Sequence, residues 1–130
     1  MIQALKRARK LHRKAIELLY EDTCTIIETN QMANKNTHIT EQQEFISYKD
    51  LPCRISFSDY SEADNATEAK LATEKRQKIV LFIAPEVQIK PGSKIRVARL
   101  GRITDYSYAG VAAIYNTHQE VILKLFERWA

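Results

Sequence analysis

The chain has only three glycines, Gly92, Gly101 and Gly110, and they fall nine residues apart, each between runs of strand-forming residues. The runs are Val87–Ile89, Ser93–Leu100, Arg102–Tyr108 and Val111–Tyr115. At the first of them, Lys90-Pro91-Gly92-Ser93, proline presets φ and glycine admits a positive φ, so the segment reads as a turn. Turns spaced roughly eight to twelve residues apart predict an antiparallel meander that closes as a small sandwich or barrel.

The strand texture begins earlier. Asp22–Asn30 is rich in β-branched residues, and Glu41–Tyr48, Cys53–Tyr60 and Lys78–Ala84 follow. Cys53, Ile55 and Phe57 alternate with Arg54, Ser56 and Ser58, the pattern of a strand with one buried face. Ile79–Ala84 is apolar on both faces, which predicts a central strand. The closing run Glu120–Trp129 is compatible with a helix or a strand, and alternation of Val121, Leu123 and Leu125 with Glu120, Lys124 and Arg128 favours the strand. The expected fold is mainly β with an N-terminal α-helix, a small antiparallel β-barrel or sandwich of about six or seven strands carrying a long inter-strand loop.

That helix is expected over residues 2–20. Ile2, Leu5, Ala8, Leu11, Ala15, Leu18 and Leu19 recur at helical spacing, with basic residues filling most of the remaining wheel. Residues 1–14 hold Lys6, Arg7, Arg9, Lys10, Arg13 and Lys14 and no acid, a charge of +6. The rest of the chain holds 14 basic and 16 acidic side chains, so the net +4 belongs to one short segment. Cations at a helix N-terminus oppose the helix dipole, so something other than local stability accounts for them, and an acidic partner is the simplest candidate. Solvation of an exposed face is the alternative. A second cluster without an internal acid, Lys90, Lys94, Arg96, Arg99 and Arg102, falls in the meander.

Two segments fit no regular element. Gln31–Thr40 reads as a polar hairpin tip. Ser61–Gln77 is a polar insertion with Leu71 as its one large apolar residue; its charged members include Glu62, Asp64, Glu68, Lys70, Glu74, Lys75 and Arg76. An insertion of that length inside a compact domain is usually functional or mobile. The 130 residues otherwise read as a single domain, residues 1–130, with the β-barrel over 22–130.

Composition narrows the function classes. At 45% hydrophobic and 28% charged, the chain is neither a disordered tail nor a disulfide scaffold. No apolar run approaches the roughly 20 residues of a membrane-spanning helix, and MIQALKRARKLHRK lacks the apolar core of a signal peptide, so a cytoplasmic, membrane-free setting is expected. Cys24 and Cys53 make no CxxC, and His12, His38 and His118 have no ligand spacing, so no metal or other cofactor is expected. Both cysteines read as small buried strand residues; a disulfide would need their strands to pair and is disfavoured in a reducing compartment. There is no phosphate-binding glycine motif, no GxSxG and no HExxH, and no catalytic role is expected.

The order of the pieces is informative. A basic amphipathic helix runs into LLYEDTCTIIET, followed by LPCRISF, a polar insertion, KIVLFIAPEVQIKPGSKIRV, GRITDYSYAG and THQEVILKLF. The ensemble resembles the head-closure proteins of tailed bacteriophages, also called head–tail connector or stopper proteins. Its most specific parts are Phe82-Ile83-Ala84-Pro85, Ile89 to Lys94, and Thr104-Asp105-Tyr106. The resemblance implies a helix-decorated small barrel, monomeric alone, that assembles as a ring in the virion neck. It implies as partners the portal or adaptor ring above, a tail-completion protein below and neighbouring copies of itself, with packaged DNA passing non-specifically through the lumen.

In that setting the helix cations would dock the chain, Ser61–Gln77 would occupy the position of a channel-closing loop, and Glu41–Tyr48 would be either a guarded edge strand or an inter-subunit one. Phe126 and Trp129 would be core residues or contacts to the next ring. The competing expectation is a nucleic-acid-binding barrel using the helix and the 90–102 stretch on phosphates.

Overall fold

The computed structural model describes residues 2–33, 40–60 and 76–129. One helix, α1 (Ile2–Glu17), precedes six strands: β1 (Asp22–Ala33), β2 (Thr40–Tyr60), β3 (Arg76–Ile83), β4 (Lys94–Arg99), β5 (Arg102–Ile114) and β6 (Gln119–Leu125). The strands close a barrel in the order β1-β2-β3-β6-β5-β4, every neighbouring pair antiparallel. The mainly β fold with an N-terminal helix is therefore as the sequence predicts.

Alternation fills the interior. Cys24 and Ile26, Cys53 and Ile55, Ile79, Leu81 and Ile83, Ile95 and Val97, Tyr106, and Val121 and Leu123 all point inward and are buried. β3 carries its apolar outer face too, but Val80 and Phe82 are only half-buried outside the barrel. The closing run resolves as strand over Gln119–Leu125, with residues 126–129 irregular. Cys24 and Cys53 are both free thiols in the core. They are diagonal neighbours, since Asp22 lies opposite Cys53 and Cys24 opposite Leu51. The Cys53 thiol is pushed far above its ordinary range by its hydrogen bond with Cys24, reinforced by burial.

The strand bookkeeping differs from expectation at three places. Glu41–Tyr48 and Cys53–Tyr60 are one strand, β2, with two register shifts against β1, one of them at Ser47 between the Ile26–Tyr48 and Ile27–Ile46 pairs. Between the pairs Cys24–Leu51 and Ile26–Tyr48, β2 has one residue more than β1. Asp50 takes up the excess at φ 51°, its N–H donating to Thr25 Oγ1 at 3.3 Å. Gly110 marks no turn; it lies inside β5 at φ 85°, in the irregularity between Tyr108 and Ala112, so two expected strands are again one. Val87–Ile89 is not a strand, although Val87 is part of the core.

Gly101 does sit in a turn. Arg99 pairs with Arg102, leaving Leu100 and Gly101 as a two-residue hairpin loop with φ 50° and 76°. Positive φ at both positions is the type I′ signature, which suits Asn-Gly and costs a leucine about 1–2 kcal/mol. Leu100 is 87% exposed and gains nothing from packing. Leu100→Asn is expected to raise stability by about 1 kcal/mol, read as a higher urea midpoint at unchanged slope.

The helix ends at Glu17, three residues short of the expected Tyr20. Leu18 and Leu19 form a tightening turn, Leu19 N–H donating to Ile16 C=O at 3.0 Å. The insertion is shorter than expected at its far end, because Arg76 and Gln77 open β3 opposite Tyr60 and Asp59. Glu62, Asp64, Glu68, Lys70, Glu74 and Lys75 lie outside the described residues, as does most of the expected hairpin tip at residues 34–39.

Candidate functional site

A basic amphipathic helix normally lays its apolar stripe on its own domain. Here no residue of α1 is buried. Ile2 is 72% and Leu11 68% exposed, and Leu5 is open as well. Lys6, Arg7, Arg9, Lys10 and Lys14 are exposed around the same helix. Arg13 is different: its guanidinium grips Glu86 through both terminal nitrogens, with Nη2–Oε2 at 2.8 Å, and donates Nε to Glu17 at 2.8 Å. Those partners push Arg13 further up its range, and the same contact holds Glu86 below its ordinary value. Arg13 is thus a tether to the barrel, and five cations of the expected six remain available for docking.

Below the helix end lies a small cleft of about 190 Å³ lined by Ile16, Leu19, Tyr20, Arg54, Phe82 and His118. The Tyr20 hydroxyl is buried with no hydrogen-bond partner among the described residues, and burial pushes its phenol up. His118 stacks on Tyr115 at a centroid distance of 4.9 Å and approaches Glu120 at 3.4 Å.

Two of the five cations in the second basic cluster are neutralised across strands. Arg96 holds Asp105 through two bonds of 2.8 and 3.2 Å. Lys94 is buried and bonds Glu44 at 2.8 Å. Arg99 lies over the Phe57 ring and reaches Ile55 C=O at 3.4 Å. Lys90, Arg99 and Arg102 are the exposed cations of this cluster without a carboxylate partner among the described residues. The run of five is no continuous charged surface, because the compensating acids arrive from neighbouring strands.

Lys94 anchors the C-terminal residues. Its ammonium sits 4.5 Å from the Phe126 ring and 5.2 Å from the Trp129 ring, which meet edge-on. The Trp129 indole N–H donates to Glu44 Oε1 at 2.9 Å. Phe126 and Trp129 are half-buried here, belonging neither to the barrel core nor to open surface. Glu44 is held below its ordinary pKa, chiefly by Lys94 and then by Trp129. A depressed carboxylate supports the folded contact above the ordinary carboxylate range and loses it as pH falls through the lowered value. Fluorescence of Trp129, the one tryptophan, is therefore expected to change in a step below that range, and Glu44→Gln to remove the step.

The first halves of β2 and last residues of β1 leave the barrel as a two-stranded ribbon. β1 pairs with β4 only over Thr23–Ile27, and β2 pairs with β3 only from Arg54 onward. Phe45 and Ile46 are exposed on this ribbon. The sequence points to the edge at Glu41–Tyr48 but conceals Glu44 and Glu86, whose partners lie 50 and 73 residues away.

Among the described residues, no group of three or more His, Cys, Asp or Glu side chains is placed to hold a metal, and no helix is long and apolar enough to cross a membrane. No protein-family model matches the chain. No curated protein matches it either. One solved structure is similar, that of the phage-like element PBSX protein xkdH from Bacillus subtilis, at 13% identity and a TM-score of 0.47, over 79% of this chain and 91% of that one. A likeness that weak carries no inference about role.

Proposed function

We propose that the chain is a non-catalytic virion assembly protein of the head-closure class. In this reading it forms a ring under the portal or adaptor, retains packaged DNA and offers a docking surface to the tail. The observation that carries the proposal is α1, a 16-residue helix with Ile2, Leu5 and Leu11 exposed, five exposed cations and no buried residue. A helix of this length is marginal alone in water, and burial of its apolar stripe is what ordinarily stabilises one. An acidic, partly apolar partner surface supplies both needs. The order of sequence motifs supports the assignment to this class, and the closed barrel is a rigid body on which such a helix can be carried.

The isolated protein is then a monomer that gains affinity by joining a preformed ring, where each weak contact acts at high effective concentration. The test is the mass of the purified protein alone and after mixing with DNA-filled, tailless heads. Transfer of monomer onto heads in a fixed ratio is the expected result. A monomer that ignores heads and retards duplex DNA at low salt would instead mark a nucleic-acid-binding barrel.

A further inference from the structure

Among the described residues the ribbon leaves two strand edges without a neighbouring strand, and they face opposite ways. On one side β1 has no described partner from Glu28 to Ala33, because β4 departs at the Ile27–Lys94 pair. On the other side β2 has no described strand partner over Gln43–Ile46, a straight run that ends at the bulge at Ser47, and these residues are the usable edge. Unpaired edges of this kind are templates for another strand unless blocked. Neither is covered by a described strand.

We infer that these two edges pair with each other between copies of this chain, β2 of one copy adding antiparallel to β1 of the next. Strand direction selects this pairing. Within the ribbon β1 and β2 run oppositely. Copies related by rotation about a ring axis keep one orientation, so β2 meets the neighbour's β1 antiparallel, and the contact is head-to-tail and repeatable. Pairing β2 with β2, by contrast, would give a closed two-fold dimer with both β1 edges still open.

The acceptor edge has room for the incoming strand. Where β4 leaves β1, the chain turns away through Lys90–Ser93, and a cleft of about 390 Å³ remains beside Glu28, Thr29 and Asn30, with Phe45 and Trp129 on its walls. The donor edge presents Phe45 at 41% and Ile46 at 56% exposure, apolar side chains that a strand slot buries on both faces. The proposal deepens the ring-forming reading and rests on it for closure of the array; the edge pairing itself is tested separately.

The test uses single cysteines, because Cys24 and Cys53 are buried and are spared by mild oxidation of the folded protein. Asn30 and Gln43 lie opposite one another within a chain, so both are placed in different molecules. Asn30→Cys protein is mixed with Gln43→Cys protein, or with Phe45→Cys to cover the next register on that side, and oxidised at high concentration. The expected result is a disulfide dimer in one of the mixtures that exceeds either variant alone by about tenfold or more. Adding Ile46→Lys to the β2 copy is expected to remove it while leaving the circular dichroism spectrum unchanged, since Ile46 is exposed.

Equal dimer from Gln43→Cys alone would indicate two-fold β2 pairing and overturn the inference. Absence of dimer in every mixture would overturn it as well, implying that the edges serve another protein's strand or none. Transfer onto heads is scored separately, so loss of trapping with normal transfer rejects the pairing alone, and trapping without transfer rejects the head-closure reading alone.

Discussion

Reversing four helix charges together, Lys6→Glu, Arg7→Glu, Arg9→Glu and Lys10→Glu, is expected to abolish transfer of the protein onto heads while leaving its melting temperature within experimental error. All four side chains are exposed and none pairs with a described carboxylate. Losing four interfacial charge contacts at up to about 1 kcal/mol each lowers affinity by about a thousandfold, before repulsion is counted. The fold does not depend on them, because α1 buries nothing and its barrel tether, Arg13 to Glu86, is untouched. The helix itself is favoured by the change, since acids suit its N-terminal end better than bases do. A defect in transfer therefore cannot be assigned to unfolding. Normal transfer by this variant would show the cations to be a solvated surface.

The largest structural effect is expected at Gln119. This side chain is buried at the start of β6, and its Nε2 donates to Ala84 C=O at 2.8 Å and to Val87 C=O at 2.7 Å. It thus pins the irregular stretch between β3 and Val87 to the barrel wall. Gln119→Leu removes both donors from buried acceptors. Ala84 C=O keeps the Val87 N–H at 3.3 Å, whereas Val87 C=O is left without a protein donor among the described residues. A cost of about 2–4 kcal/mol follows, or a melting temperature about 10 °C lower. The swap also loosens the footing of α1, because the stretch that Gln119 pins carries Glu86, the partner of Arg13.

Much of the barrel was legible in local pattern, because strand burial has a period of two and needs only neighbours in sequence. Cys53 and Ile55 point inward as their alternation predicts, but Phe57, the third of that series, is 40% exposed with Arg99 over it. The pattern reports which face a residue occupies, not where along the strand the interior ends. Gly110 misled for a related reason. Glycine reports a need for positive φ, and a bulge meets that need as well as a turn does. Asp50 reaches positive φ without any glycine, so the fusion of two segments into β2 left no mark in the sequence.

The candidate site was readable only in half. The helix cations stand out because no acid interrupts them, and five of the six do remain exposed. The meander cluster looked equivalent, yet Lys94 and Arg96 are paired with Glu44 and Asp105. Cross-strand partners depend on register, which bulges shift by whole residues, so charge counting along the chain could not separate the two clusters. The exposure of α1 was equally hidden, since an amphipathic stripe specifies that something covers it without specifying what.

The two core thiols give the molecule an internal clock. Cys24 and Cys53 sit buried on paired strands, and the Cys53 thiol is pushed upward by its bond with Cys24 and by burial, so an alkylating reagent reaches them only when β1 and β2 come apart. Because those strands are two staves of a closed cylinder, they separate only when the cylinder springs open. The rate at which both sulfurs become labelled therefore counts whole-barrel openings, and fraying of the helix or the ribbon passes without being recorded.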